Sequence, residues 1–116
     1  MPESLIDKEA WERMKSMTRP AFLVELIDAF LKDSPELIQQ MRSGLAAGDL
    51  ETLRRAAHSL KSNSASFGAD RLAGVARDLE MMAKSGSLGN VESKLSEVET
   101  EYAQLLPLLE ELKHER

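Results

Sequence analysis

His58 is the one histidine of this chain outside its last three residues, and its neighbours are unusual. In a helix, a histidine is ordinarily packed by large side chains or scattered on a polar face. Here the stretch Ala56 to Ala69 sets Lys61 three residues on, Ser62 four on and Ala65 seven on, so one side of the imidazole is kept low. With about 100° per residue and Ala57 at zero, the packing positions Leu50, Leu53, Leu60, Ser64 and Phe67 fall within roughly -80° to +20°. His58 then lies near +100°, on the shoulder of the helix. Its companions there are Lys61 at about 40°, Arg54 at about 60°, Ala65 at about 80°, Glu51 at about 120° and Ser62 at about 140°.

That placement carries three chemical consequences. A solvent-reachable imidazole offers a neutral, nucleophilic nitrogen near pH 7 without a partner base. The short side chains of Ser62 and Ala65 leave room for a bulky protein surface to reach the ring. Lys61, with Arg54 behind it, offsets negative charge delivered to the ring, as a phosphoryl group would deliver it.

Other chemistries find little support. Helical bundles build di-iron sites from paired Glu-x-x-His motifs, and Glu111 with His114 makes one copy, but Arg55 stands three residues before His58. One copy does not make the site, so no metal site is expected. No His-Glu-x-x-His motif, phosphate-binding glycine loop or Ser/His/Asp arrangement is evident. There is no cysteine, hence no disulfide frame, thiolate zinc site or cysteine nucleophile.

The 116 residues suit a single domain spanning the whole chain, with one function on one surface. Hydrophobic residues at 42%, charged at 30% and aromatic at 4% fit a Leu/Ala/Glu/Lys-rich helical protein and no sheet. A net charge of -5 argues against a nucleic-acid partner, which would need a basic stripe. No basic region followed by an apolar run opens the chain, and no run of about 18 apolar residues suggests a membrane span. The expectation is a soluble, cytoplasmic protein.

The elements that must position His58 follow from periodicity. Ser4 is a candidate N-cap for a short helix from about Leu5 to Lys15, with Leu5, Ile6, Ala10, Met14 and Met17 as its apolar side and Trp11 as a packing residue. From Arg19 to Ala47, Leu23, Leu26, Ile27, Phe30, Leu37, Ile38, Met41 and Leu45 recur at three- and four-residue steps. Pro35 predicts a kink or restart near Asp33 to Pro35. Gly48 ends that limb and Asp49 caps the next, which carries His58 and stops at Gly68. Asp70 is predicted to cap a third limb with Leu72, Val75, Ala76, Leu79, Met82 and Ala83 in its stripe, broken at Ser85-Gly86-Ser87. Asn90 is the predicted cap of a last limb whose Val91, Leu95, Val98, Tyr102, Leu105, Leu109 and Leu112 form a seam. Pro107 should bend or end that helix, and the tail from Lys113 should fray. The links are short, so neighbours run antiparallel. The result is an all-α, up-down-up-down four-helix bundle, its core at about 19–113, with a short extra N-terminal helix.

The pattern Ala57-His58-x-Leu60-Lys61-Ser62-x-Ser64-x-x-Phe67-Gly68-Ala69-x-x-Leu72, followed by Leu79-Glu80, resembles the histidine-containing phosphotransfer (HPt) domain of multistep two-component phosphorelays. Phe30-Leu31-x-Asp33-x-Pro35-Glu36-Leu37 and the Ala47-Gly48-Asp49 turn resemble it too. The resemblance implies that His58 accepts a phosphoryl group from a receiver-domain aspartyl phosphate and passes it to another receiver aspartate, through the ring nitrogen distal to the backbone. It further implies no ATP site or kinase activity, no cofactor, and a magnesium ion that belongs to the receiver. Partners would be response-regulator receiver domains or a hybrid sensor histidine kinase. Lys61 matches the family's lysine and Gly68 the glycine that closes the helix, whereas Ser62 stands where many members have glycine. Its hydroxyl can still hydrogen-bond a phosphoryl oxygen. Lys61, Ser62 and Arg54 are thus the phosphate-supporting candidates, Ala65 the point of partner access and Gly68 the helix stop. The alternatives are a docking adaptor that is not phosphorylated, and kinship with the phosphotransfer domain of chemotaxis kinases. A complete four-limb core makes monomer the default. On the first limb, Leu31, Glu25 and Asp28 are partner-facing candidates by position alone.

Overall fold

A computed structural model describes residues 5–66 and 68–114. Five helices follow in order, α1 (Lys8–Met17), α2 (Pro20–Ala47), α3 (Leu50–Ser66), α4 (Asp70–Ser85) and α5 (Val91–Lys113), and no strand occurs among the described residues. The last four close a ring in which α2 packs on α3, α3 on α4, α4 on α5 and α5 back on α2. This is the expected four-helix bundle with an extra helix at its start. The molecule measures 44 × 22 × 21 Å, and α2, with 28 residues at about 1.5 Å each, runs nearly its full length.

The apolar stripes meet as their spacing requires. Leu23, Ile27, Phe30 and Met41 of α2 and Leu53, Ala57 and Leu60 of α3 are buried with Leu72, Ala76 and Leu79 of α4. All seven seam positions of α5, from Val91 to Leu112, are buried too. Ser64, placed in the packing arc by periodicity, is fully buried. Trp11 packs into the same core. Ser4, expected as a cap, and Phe67, expected in the packing arc, lie outside the described residues.

Several boundaries differ from expectation for identifiable reasons. α1 begins at Lys8, after Asp7 at the N-cap position, and Leu5 and Ile6 enter the core from the non-helical lead-in. Met17 is exposed, so it is no part of an inward stripe. α2 does not restart at Pro35; it continues through it. Proline there removes the N–H that would bond the Leu31 carbonyl, and the Tyr102 hydroxyl of α5 donates to that carbonyl at 3.4 Å. α5 likewise continues through the exposed Pro107 to Lys113. Asp70 is the first residue of α4, with Ala69 at the cap position, although a carboxylate in the first turn still complements the helix dipole. Asn90 occupies the cap position of α5 without a side-chain cap bond.

The two turns flanking α3 behave as predicted. Gly48 is left-handed with φ 71° and stops α2. Asp49 accepts from the Thr52 backbone N–H at 3.2 Å and from the Thr52 hydroxyl at 2.6 Å, and these bonds hold its carboxyl below the ordinary 3.8. At the other end Gly68 is left-handed with φ 76°. A Cβ there would come within 2.8 Å of the Ala10 Cβ and 3.0 Å of the Asp7 carbonyl oxygen, while the Asp7 N–H donates to the Gly68 carbonyl at 2.5 Å. One peptide therefore both ends α3 and seats α1.

Candidate functional site at His58

His58 sits near the middle of α3, on the shoulder that the helical wheel assigns it, with its side chain 54% exposed. Its Nδ1 lies 2.7 Å from Oε2 of Glu80 on α4. The other oxygen of the same carboxylate, Oε1, lies 2.8 Å from Nζ of Lys61. Glu80 is only 14% exposed, so a single, largely buried carboxylate fixes both the ring and the lysine. Hydrogen bonding from Lys61, and next from His58, holds the Glu80 carboxyl below the ordinary 4.5 against the opposing effect of burial.

An ionised carboxylate only accepts hydrogen bonds. Nδ1 must therefore be the donor, which puts the proton of the neutral ring on Nδ1 and the lone pair on Nε2. With Nδ1 turned to α4, Nε2 is on the side of the ring away from it. His58 also lines a groove of about 390 Å³, together with Asp33, Glu36, Leu37 and Gln40 of α2 and Ser59, Ser62 and Asn63 of α3. The outcome is a ring of fixed tautomer at the edge of an open groove.

The remaining expected residues fall as follows. Lys61, one turn from His58, is joined to the ring through Glu80. Ser62 lines the groove, and its carbonyl accepts from the Ser66 hydroxyl at 3.1 Å. Arg54 is held by Glu51 through a two-point fork at 2.9 and 2.7 Å. Ala65 is exposed and lines a separate recess beside α1, with Met14 and Met17. Gly68 is buried under α1. Of the first-limb candidates, Asp28 pairs with Lys113 of α5 at 2.7 Å and Leu31 packs against the core. The α2 residues beside the histidine are instead Asp33, Glu36, Leu37 and Gln40.

Two features escaped sequence reasoning, Glu80 as ring partner and the α2 wall of the groove. Both were signalled by hairpin register. His58 and Glu80 are each eleven residues from Ala69, the centre of the α3–α4 turn. The same reflection through Gly48-Asp49 places position 39 of α2 opposite His58.

A family model described as Hpt domain matches residues 25–113. The phosphorelay protein LuxU of Vibrio cholerae is 38% identical over 66 residues, 57% of this chain and 58% of that protein, so the chain spans less than two thirds of the curated relative it matches. The crystal structure of histidine-containing phosphotransfer protein B from Pseudomonas aeruginosa PAO1 superimposes with a TM-score of 0.88 at 31% identity, over 97% of both chains. The bundle, its mid-helix histidine and the match over residues 25–113 agree, and this chain belongs to the Hpt domain family.

Proposed function

We propose that His58 is the phosphoryl-carrying residue of a phosphorelay intermediate, receiving the group from a receiver-domain aspartyl phosphate and delivering it to another receiver aspartate. The observation that carries this is the Nδ1–Glu80 hydrogen bond, which leaves the lone pair on Nε2, away from α4, in a residue that lines an open groove. In the forward step the Nε2 lone pair attacks phosphorus, an N–P bond forms, and the P–O bond to the donor aspartate breaks. The donor carboxylate leaves with the bonding pair. No proton moves, because the ring keeps its Nδ1–H and becomes an imidazolium whose charge Glu80 neutralises. Onward transfer reverses this: an acceptor carboxylate oxygen attacks phosphorus, the N–P bond breaks, and the pair returns to Nε2.

Lys61 stands beside the ring as the cation that steadies phosphoryl oxygens, and the Ser62 hydroxyl is a further donor at the groove. Arg54 contributes at longer range, since Glu51 holds it. The chain acts as a carrier without kinase activity or a cofactor of its own, the magnesium ion being the receiver's. Its four-helix core buries its own stripes, which supports a monomer, and its relay partners would place it in the cytoplasm. Receiver domains, free or within a hybrid sensor kinase, are the proposed partners, with no part for nucleic acid or membrane.

The test is transfer of labelled phosphate from phosphorylated receivers to this chain, beside a His58→Gln variant of unchanged helicity. Acid-labile, alkali-stable label on the wild type and none on the variant is expected. No label from any of a panel of receivers would favour a docking adaptor that is never phosphorylated. Label persisting on the variant would mean that another residue carries it.

A further inference from the structure

The charges around His58 do not balance on the side where the phosphoryl group would lie. Lys61 is engaged by Glu80 at 2.8 Å. Arg54 is engaged by Glu51, and Arg55 reaches the same carboxylate at 3.5 Å. Asp33 and Glu36, both exposed on the α2 wall of the groove, have no ion-pair partner among the described residues. Set against those three cations, Glu51, Glu80, Asp33 and Glu36 leave the surround with one anion in excess, and the two unpaired carboxylates are the ones across the groove from the ring.

We propose that Asp33 and Glu36 set the transfer poise of His58, raising the free energy of the phosphorylated state so that this chain is a transit carrier rather than a store. This rests on the carrier function proposed above. When the N–P bond forms on Nε2 and the donor's P–O bond breaks, the dianionic phosphoryl oxygens occupy the groove side of the ring. The single positive charge created on the ring is shared between its two nitrogens and is offset at Nδ1 by Glu80. The dianion outweighs the one positive charge the ring gains, so Asp33 and Glu36, lining the same groove as His58, repel the phosphorylated state more than the free one. The partition with a receiver shifts toward the receiver. Because both carboxylates are exposed, the effect acts through water within about a Debye length, roughly 10 Å at 0.1 M salt, and must fade as salt is raised.

The experiment uses the full chain and the Asp33→Asn, Glu36→Gln double variant, which keeps size and hydrogen-bonding capacity while removing both charges. The equilibrium partition of labelled phosphate with a receiver domain is reached from both directions at about 20 mM and about 500 mM salt. At low salt the variant should retain roughly three- to tenfold more label, and most of that difference should vanish at high salt. A receiver-free measurement accompanies it: labelling of His58 by phosphoramidate, an anionic donor, should run about threefold faster on the variant at low salt. An unchanged partition, or a shift that salt does not reduce, overturns the proposal. So does a shift accompanied by altered affinity of the unphosphorylated pair with phosphoramidate labelling unchanged, which would make the two carboxylates a docking contact. A chain that takes label from phosphoramidate with the expected salt-dependent difference, but none from any receiver, would overturn the carrier function and leave the electrostatic effect standing.

Discussion

Between His58 and Glu80 a single hydrogen bond decides which ring nitrogen is available, and its loss should be visible before any change in folding. Glu80→Gln keeps an acceptor near Nδ1 but removes the charge that stabilises the imidazolium, so transfer from a phosphorylated receiver should slow by about tenfold. Glu80→Leu removes the acceptor as well. In that variant, nitrogen NMR of His58 should show Nδ1–H losing its dominance over Nε2–H, whereas helicity stays unchanged. Tenfold slower transfer with an undisturbed tautomer ratio in the leucine variant would mean that Glu80 acts only by holding Lys61. His58, Lys61 and Ser62 were legible in the sequence because they share one helix, where spacing alone fixes their mutual placement. Glu80 was not, because its role depends on a partner 22 residues away. Contact across a hairpin needs the turn geometry at Gly68 and Ala69 before register can be read.

Among the elements, α2 shows why periodicity located a helix and yet left its continuity at Pro35 open. The stripe from Leu23 to Leu45 was readable, but whether Pro35 breaks it depends on what serves the Leu31 carbonyl, and that group is Tyr102, far along the chain. Tyr102→Phe should cost about 1 kcal/mol of stability in urea unfolding. Pro35→Ala restores the helical N–H to that carbonyl, so in its background the tyrosine change should cost much less. Equal cost in both backgrounds would show that the hydroxyl serves no purpose at Leu31. The seat of α1 gives a second prediction. Gly68→Ala combines a left-handed backbone with a contact too close to Ala10, and should destabilise by about 1–3 kcal/mol. Adding Ala10→Gly should recover part of the loss, since it relieves the contact but not the backbone. The start of α1 was misplaced by about three residues and that of α4 by one, because Leu5, Ile6 and Ala69 are buried without being helical, which no helical period can show.

For the molecule as a whole, composition already indicated an acidic helical bundle, and the structure shows how its charges are spent. Glu80, Glu99, Glu51 and Asp49 all have carboxyls held below their ordinary values, chiefly by hydrogen bonds from Lys61, Arg42, Arg54 and Thr52 in turn. A carboxyl depressed in the folded state contributes stability that is fully present above its unfolded value and lost as pH falls through the folded one. The urea midpoint should therefore be level near neutrality and decline below about pH 4.5. Arg42 is central to that decline, because it ties α2 to α5 through Glu99 at 2.6 Å and through Glu92. A midpoint flat down to pH 3 would show these ion pairs to be without consequence for folding.

His58 stands halfway along a 17-residue helix, on the flank of a rod about 21 Å across. A domain-sized partner that reaches Nε2 must lie over the middle of α3 and so covers the approach for any other. If His58 carries the phosphoryl group as proposed, donor and acceptor can visit only in alternation, as at a turnstile. Steady-state relay flux through this chain should follow double-displacement kinetics, with parallel double-reciprocal plots, and either receiver in its unproductive state should inhibit competitively against the other. Raising the acceptor concentration would speed the relay only until it begins to exclude the donor, so throughput should pass through a maximum set by the ratio of the two receivers.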